Sequence, residues 1–266
     1  MKNLSIIGKI LYLLNSLFAT LLLLSYLLPY ISPKTIPLSA ILSLSVPILI
    51  ILNLAFVIYW LFKLKKQFIL SALILCIGWF FTNPLYKLTE SKSSFNDDLK
   101  VMSYNVRSFN HWKWIDDENI PQKISNFISD KSPDVLLFQE YYTSEKISLE
   151  YPYKYIKTKN EKANYGLAIY SKFPIVNQGS LDLKNTSNNI IFADIIRKRD
   201  TIRVYNLHLQ SLQLNTNKEN FGQDNSEKLI AKLKERFKKQ AEQTNVFLIH
   251  EKKWKGKKIV AGDFNN

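Results

Sequence analysis

The pattern of hydrophobic and polar positions divides the chain in two. Up to about residue 86, apolar residues run in long stretches with few charges; from about residue 99, short apolar runs alternate with charged and polar positions. The first part holds three apolar stretches, 10–31, 36–62 and 68–86. Each reaches or approaches the roughly 20 residues that a helix needs to cross a bilayer. Hydrocarbon offers the backbone no hydrogen-bond partner, so helices are the predicted form. Pro33 and Pro37 fall in the first turn between stretches, and Lys63, Lys65 and Lys66 mark the second. Tyr30, Trp60, Trp79 and Tyr86 sit near the ends, where amphipathic rings favour the membrane interface. The first stretch is longer than the apolar part of a signal peptide and lacks a clear small-x-small cleavage site, so it reads as a retained helix.

The second part reads as alternating strands and helices. Strands are predicted at 100–106, 134–139, 165–171, 190–196, 202–208 and 258–261. A short helix is predicted at 121–129, with Ile124, Phe127 and Ile128 on one face. A long one follows from a cap at Asn225 or Ser226 to about His250, carrying Leu229, Ile230, Leu233 and Phe237 at helical spacing. Connections of both hairpin and helix length predict an α/β architecture of two packed sheets with helices outside. The expected plan is a transmembrane region at 1–86, a polar linker at 87–98 and a globular domain at 99–266.

Charge sharpens this plan. The first 98 residues carry 8 Lys/Arg against 3 Asp/Glu, and the remainder 28 against 19. A basic globular part suits an anionic partner such as nucleic acid, a phospholipid headgroup or a phosphorylated small molecule, or it is simply a solvated surface. Lys2, Lys9, Lys63, Lys65 and Lys66 fall on one side of the predicted helices, and Lys34, Lys87 and Lys92 on the other. The positive-inside bias then predicts an integral protein of the cell membrane with a cytoplasmic N-terminus, and three crossings put the globular domain outside. Cys76 is the single cysteine, which excludes an internal disulfide and a cysteine-based zinc site. Any metal would take oxygen or imidazole ligands, favouring magnesium, manganese or calcium.

Candidate chemistry gathers at the C-terminal ends of the predicted strands, where a sheet can fix side chains rigidly. Asn105 ends the first strand in Ser-Tyr-Asn-Val, Glu140 follows the second in Leu-Phe-Gln-Glu, His208 closes Tyr-Asn-Leu-His, and Asp263 and Asn265 close Gly-Asp-Phe-Asn. Two carboxylates, two carboxamides and an imidazole are groups that phosphate-ester cleavage needs: oxygens for a hard cation, a base for water, and donors for the phosphate oxygens. Singly, each is an ordinary turn or strand-end residue; the joint order carries the signal.

That order, together with Tyr170-Ser171-Lys172-Phe173-Pro174-Ile175, resembles the endonuclease/exonuclease/phosphatase superfamily, which includes deoxyribonuclease-like nucleases, sphingomyelinases and inositol-polyphosphate phosphatases. The resemblance covers about 99–266 and implies a four-layer α/β/β/α sandwich. It implies Glu140 as the principal metal ligand, usually for Mg2+ (Mn2+ or Ca2+ being alternatives), with Asn105 beside it ordering metal and phosphate. It further implies His208 as donor to the scissile phosphate, Asp263 as the carboxylate that orients or deprotonates water, and Asn265 as a support for the phosphate. Gln139 and Phe264 are expected to pack behind these. The implied activity is a membrane-anchored, metal-dependent phosphodiesterase acting on nucleic acid or a phospholipid headgroup, with no obligate protein partner.

The family pattern also includes a late Ser-Asp-His segment. Of the three histidines, His111 lies in an aromatic loop, His208 belongs to the strand end above, and His250 reads as a surface or dipole-matched residue at a helix end. The expectation is therefore a fragment of a longer enzyme, with incomplete sheets and weak activity as it stands. The alternative is a non-catalytic, membrane-tethered binding module. Phe109, His111, Trp112 and Trp114 form either a substrate- or membrane-touching loop or a loop tucked into the core. Arg107 reads either as a phosphate contact or as a surface ion pair, and Lys228, Lys232, Arg236, Lys238 and Lys239 read as a solvated basic face.

Overall fold

A computed structural model of the chain describes residues 4–81, 98–143, 147, 149–160, 162–212 and 223–265. It divides into two compact units, Met1–Ser93 with Thr216–Lys238, and Ser94–Asn215 with Lys239–Asn266.

The first unit contains α1 (Ile6–Ser25), α2 (Pro37–Ser43), α3 (Val46–Phe62) and α4 (Phe68–Phe81). Ser5 caps α1 by accepting from the Gly8 N–H at 3.2 Å. The helices pack around Ala19, Leu22, Tyr26, Leu49 and Ile74, while Leu17, Leu24, Ile48, Ile51, Ile58 and Leu73 remain exposed. Gly78 permits the closest approach: a Cβ there would collide with the Tyr26 ring, whose hydroxyl donates to the Ile74 carbonyl at 2.9 Å.

The three expected spans are modified. Among the described residues, one helix, Ile6–Tyr30, is long and apolar enough to cross a membrane. The second expected span is two helices, α2 and α3, bent by 41° at their junction, and counts as a span only if the pair is taken as one. Pro47 explains the break. It lacks an N–H, and its ring would clash with the carbonyl four residues earlier, so the helix ends and restarts with proline in its first turn. The Leu44 and Ser45 N–H groups instead bond the Ile41 and Leu42 carbonyls, three residues back. The third helix, α4, has 14 described residues, short of a full crossing. The expected continuation over 82–86, Tyr86 included, and nearly all of the expected linker 87–98 lie outside the described residues.

The second unit is a sandwich. Its first sheet has the order β1-β2-β4-β3, from β1 (Val101–Asn105), β2 (Val135–Tyr142), β3 (Tyr153–Thr158) and β4 (Tyr165–Ser171). The second has the order β5-β6-β7-β8, from β5 (Ile175–Ser180), β6 (Asn189–Arg197), β7 (Asp200–His208) and β8 (Lys257–Asp263). The β1–β2 and β7–β8 pairs are parallel and the other neighbouring pairs antiparallel. Helix α5 (Ile120–Lys131) joins β1 to β2, and α6 (Gln223–Glu251) precedes β8. The α6 helix starts before the expected cap, so Asn225 and Ser226 lie within it.

Burial on both faces explains the nearly continuous apolar reading of the central strands. Val135, Leu137, Leu167, Ile169, Ile191, Ala193, Ile195 and Val204 fill the space between the sheets. Leu136, Phe138, Ala168 and Tyr170 face Ile124 and Ile128 of α5, while Ile190, Phe192, Tyr205 and Leu207 pack with Phe247 of α6. This is the expected α/β/β/α layering. Strands β3 and β5 are additions to the reading from sequence. Both lie at sheet edges, and their lysines, asparagine and glutamine blur the apolar alternation.

Candidate active site

The sandwich brings four of the five predicted side chains together at the ends of β1, β2, β7 and β8. Asn105 is the hub. Its Nδ2 donates to Glu140 Oε1 at 3.2 Å and to Asp263 Oδ2 at 2.8 Å, while its Oδ1 accepts from the Arg107 backbone N–H at 3.0 Å. His208 Nε2 lies 4.0 Å from Glu140 Oε1, and His208 pairs with Asp263 in the parallel β7–β8 register. Asn265 stands behind Asp263: its backbone N–H donates to Asp263 Oδ1 at 3.0 Å, and its Nδ2 to the Leu209 carbonyl at 2.9 Å.

Local backbone explains how each group is aimed. Strict alternation along β2 would send Glu140 to the α5 face, with Phe138. A register shift between Phe138 and Tyr141 interrupts it, and Glu140 takes φ +50°. This bulge turns the carboxylate toward Asn105 and returns Tyr141 to the α5-facing cluster beside Phe138. A left-handed non-glycine residue costs on the order of 1–3 kcal/mol, and such strain persists where the surroundings over-determine it. Before Asp263, Gly262 has φ +145°, and a Cβ there would strike the Leu207 backbone, so glycine is what lets β8 close on β7. Helix α6 fixes the same strand ends: Gln240 Nε2 donates to the Phe264 carbonyl at 2.7 Å, and Gln243 Oε1 accepts from the Gln210 N–H at 2.8 Å.

Behind the site runs a buried amide chain. Gln139 Nε2 donates to Asn206 Oδ1 at 2.6 Å, and Asn206 Nδ2 donates to the Phe138 and Ala168 carbonyls at 2.8 and 3.0 Å. Gln139 thus bolts one sheet to the other, and Asn206 was not foreseen from the sequence. Phe264, expected to pack behind the site, is instead exposed, and its carbonyl anchors Gln240.

Electrostatics set the protonation of the buried histidine. Burial lowers the His208 pKa, and the neighbouring Asp263 and Glu140 carboxylates oppose that shift without reversing it, so the ring is neutral at pH 7. A second unforeseen residue is Tyr165. Its phenol is pushed up by burial and then by Glu140 and Asp263, which places it in the field of both carboxylates. As the first residue of β4 it carried no signal beyond strand propensity.

Among the described residues, no three of His, Cys, Asp and Glu group closely enough to form a metal cage alone. The donors present are nonetheless the hard oxygens of two carboxylates and one carboxamide. No lysine or arginine among the described residues pairs with Glu140 or Asp263. That set fits a hard divalent cation that keeps several waters, and it does not fit a thiolate or polyhistidine site.

The aromatic loop splits between its two readings. Phe109 is buried against Phe138 and Tyr141, and His111 stacks on Tyr142 at 4.0 Å. Trp112 and Trp114 are exposed. The Arg107 guanidinium lies 4.6 Å over the Trp114 ring and has no ion pair among the described residues. His250, read as a surface or dipole-matched residue, lies half-buried in the last turn of α6, where it bonds the Tyr205 hydroxyl through Nδ1 at 3.0 Å and packs on Phe192.

Comparison with known proteins adds a family. Residues 8–85 match a family described as a domain of unknown function (DUF8431), and residues 102–266 match the endonuclease/exonuclease/phosphatase family. No curated protein matches the chain. Among solved structures, the chain is similar to a D. rerio TDP2 humanized by 14 mutations, at 16% identity and TM-score 0.46, covering 63% of this chain and 62% of that one. It is similar to beta toxin 275-280 from Staphylococcus aureus, at 18% identity and TM-score 0.42, with coverage of 64% and 66%. It is also similar to SmcL, at 15% identity and TM-score 0.43, with coverage of 65% and 65%. The chain therefore spans somewhat less than two thirds of the length of each of these structures. The family match extends over more than half of the chain, through the segments that carry Asn105, Glu140, His208 and Asp263: the chain belongs to the endonuclease/exonuclease/phosphatase family.

Proposed function

We propose that this chain is a membrane-anchored phosphodiesterase-type hydrolase that depends on a hard divalent cation, Mg2+ first among the candidates. The observation that carries the reading is the convergence of Glu140 and Asp263 on the single Asn105 amide, with no cationic partner among the described residues. Two carboxylates held this close retain uncompensated negative charge, which a bound cation would neutralise. Glu140 would hold it, Asn105 would order that carboxylate through its amide N–H group, and the cation would polarise the phosphoryl oxygen.

The remaining roles follow from the chain's own geometry. Asp263 accepts one N–H on each oxygen, which fixes its plane and leaves a second lone pair on each to orient water and take its proton. Neutral His208 keeps one ring N–H to offer a phosphate oxygen as charge builds there. Asn265 commits one Nδ2–H to Leu209, and its other can support the same oxygens. The substrate class is a phosphate ester from nucleic acid or a phospholipid headgroup. Anchoring in a bilayer is supported by the Ile6–Tyr30 helix and by large aliphatic side chains exposed around the helical unit. The lysine bias supports a cytoplasmic N-terminus. A reporter fused after Asn96 should be active outside the cell, and cytoplasmic activity would overturn that topology.

The deciding experiment uses the purified full chain in detergent, bis(p-nitrophenyl) phosphate and Mg2+. Hydrolysis should appear with Mg2+ and vanish with a chelator. Hydrolysis that survives both Glu140→Ala and Asp263→Ala would reject the assigned roles. Absence of hydrolysis in the unmodified chain, with tight binding of a phosphodiester, would favour the binding module.

A further inference from the structure

Resting on that reading, we propose that the loop after β1 forms a second anion subsite, in which Arg107 receives a further phosphate carried by the substrate next to the scissile one. Three observations meet at this loop. First, Arg107, Ser108, Phe109 and Asn110 are four consecutive non-glycine residues with φ between +43° and +62°. Such a run is costly and needs external support. The support is visible: Phe109 is buried in the α5-facing core, and Asn110 clamps the loop, donating from Nδ2 to the Ile115 carbonyl at 2.7 Å and accepting at Oδ1 from the Ile115 N–H at 3.0 Å. The loop is therefore held in one strained shape beside the site.

Second, that shape couples Arg107 to the catalytic hub. The Arg107 N–H fixes Asn105 Oδ1, which turns the Asn105 amide N–H groups onto Glu140 and Asp263. The Arg107 backbone is thus tied to the site, and its guanidinium is held over Trp114.

Third, the guanidinium lies over Trp114, its Cζ 4.6 Å from the ring centroid, and has no acid partner among the described residues, although Asp116, Asp117 and Glu118 follow closely in the chain. Asp117 is engaged elsewhere, by Lys123 Nζ at 2.6 Å, and Glu118 by Lys113 at 3.7 Å. A cation seated on an indole keeps its in-plane N–H groups free for bidentate binding of phosphate. Beside it opens a cavity of about 330 Å³, lined by Tyr104, Asn105, Arg107, Trp114 and Phe127 among others. It has the size and aromatic walls to take the group that joins the two phosphates.

The test compares substrate pairs that differ by one phosphate. The nucleotide pair is thymidine 5′-(p-nitrophenyl phosphate) with and without a 3′-phosphate. The headgroup pair is glycerophosphoinositol with and without a 4-phosphate. The unmodified chain should prefer the extra phosphate in at least one pair, and that pair names the source. Arg107→Ala should cut kcat/KM for the doubly phosphorylated member about tenfold to a hundredfold more than for its partner, mainly through KM. Arg107→Lys should lose part of the preference, Trp114→Ala part, and Trp114→Phe less. An equal fall for both members of each pair would show that Arg107 acts only through Asn105, and would overturn the subsite. A second measurement separates this from failure of the hydrolase reading: calorimetric binding of thymidine 3′,5′-bisphosphate. Binding that Arg107→Ala weakens at least tenfold keeps the subsite even if no substrate is cleaved; binding it leaves unchanged, or no binding to the unmodified chain, removes it.

Discussion

The helical unit and the sandwich both bury knots of amides, and they use them differently. In the helical unit, the Ser71 hydroxyl meets Asn15 Oδ1 at 2.7 Å and Asn53 Oδ1 at 2.8 Å, and all three side chains are fully buried. One hydroxyl proton serves two carbonyl oxygens, and the Asn15 Nδ2 has no partner among the described residues. In the sandwich, Asn206 is equally buried yet saturated, with Oδ1 and both Nδ2 hydrogens engaged. The site is a third arrangement, in which one amide is shared by two carboxylates. Saturation marks a structural bolt, whereas unmatched charge around a shared donor marks a place that awaits a ligand. The helical knot lies between these: Asn53 is as fully engaged as Asn206, and the shortfall falls on Asn15 in almost wholly apolar surroundings.

The largest effect should come from the unmatched charge. Asp263→Asn keeps the shape and the Asn265 backbone bond, gives up the bond from Asn105 Nδ2, and removes the base. It should lower kcat on a phosphodiester by about a thousandfold or more. Thermal unfolding should move little, by about 1 kcal/mol or less, because removing one of two neighbouring carboxylates offsets the lost Asn105 bond. A fall in melting temperature as large as the loss in rate would show Asp263 to be structural.

Next comes the saturated bolt. Asn206→Ala removes the inter-sheet partner of Gln139 Nε2, which keeps Ser103 Oγ and the Leu137 carbonyl, and takes the Asn206 donor from the carbonyls of Phe138 and Ala168. It should cost about 3 kcal/mol or more in denaturant unfolding. Activity of the remaining folded fraction should fall far less than in Asp263→Asn. The helical knot should cost less again. Asn53 Nδ2 bonds the Phe18 carbonyl at 3.1 Å across helices, and in lipid such bonds are worth about 0.6–2 kcal/mol. Asn53→Leu should therefore shift unfolding of the helical unit in detergent by about 1 kcal/mol. A cost equal to that of Asn206→Ala would mean that the unit behaves as an ordinary aqueous core.

The contrast also explains what the sequence revealed. Apolar runs and strand-end polar residues are local signals, so the central strands, α5, α6 and the set Asn105, Glu140, His208, Asp263 and Asn265 were legible. The bulge at Glu140 was not, because it arises from pairing with β4, and a Leu-Phe-Gln-Glu segment reads the same with or without it. Asn206 and Tyr165 were hidden for the same reason: their partners are 67 or 68 and 38 residues away for Asn206, and remote carboxylates for Tyr165. The break between α2 and α3 had a local signal in Pro47, which is masked when a proline is weighed against so long an apolar run.

The smallest effect tests the far face of the sandwich, where the polar groups are neither saturated nor catalytic. Arg203 is gripped by Asp194 at 2.6 and 2.7 Å and sandwiched between Phe192 and Trp254, with the His250 ring against the same Phe192. The His250 pKa is lowered from 6.5, first by burial and then by Arg203 and Lys253, with Asp194 opposing. The unfolded chain therefore binds a proton at a higher pH than the folded one. Stability should be fully retained above about 6.5 and should decline as pH falls from there toward the lowered folded value. His250→Gln, which cannot titrate, should flatten that part of the pH–stability curve while leaving the Asp263-dependent rate at pH 8 intact. A slope unchanged by His250→Gln would assign the acid sensitivity to the site face instead, where the His208 imidazole is buried.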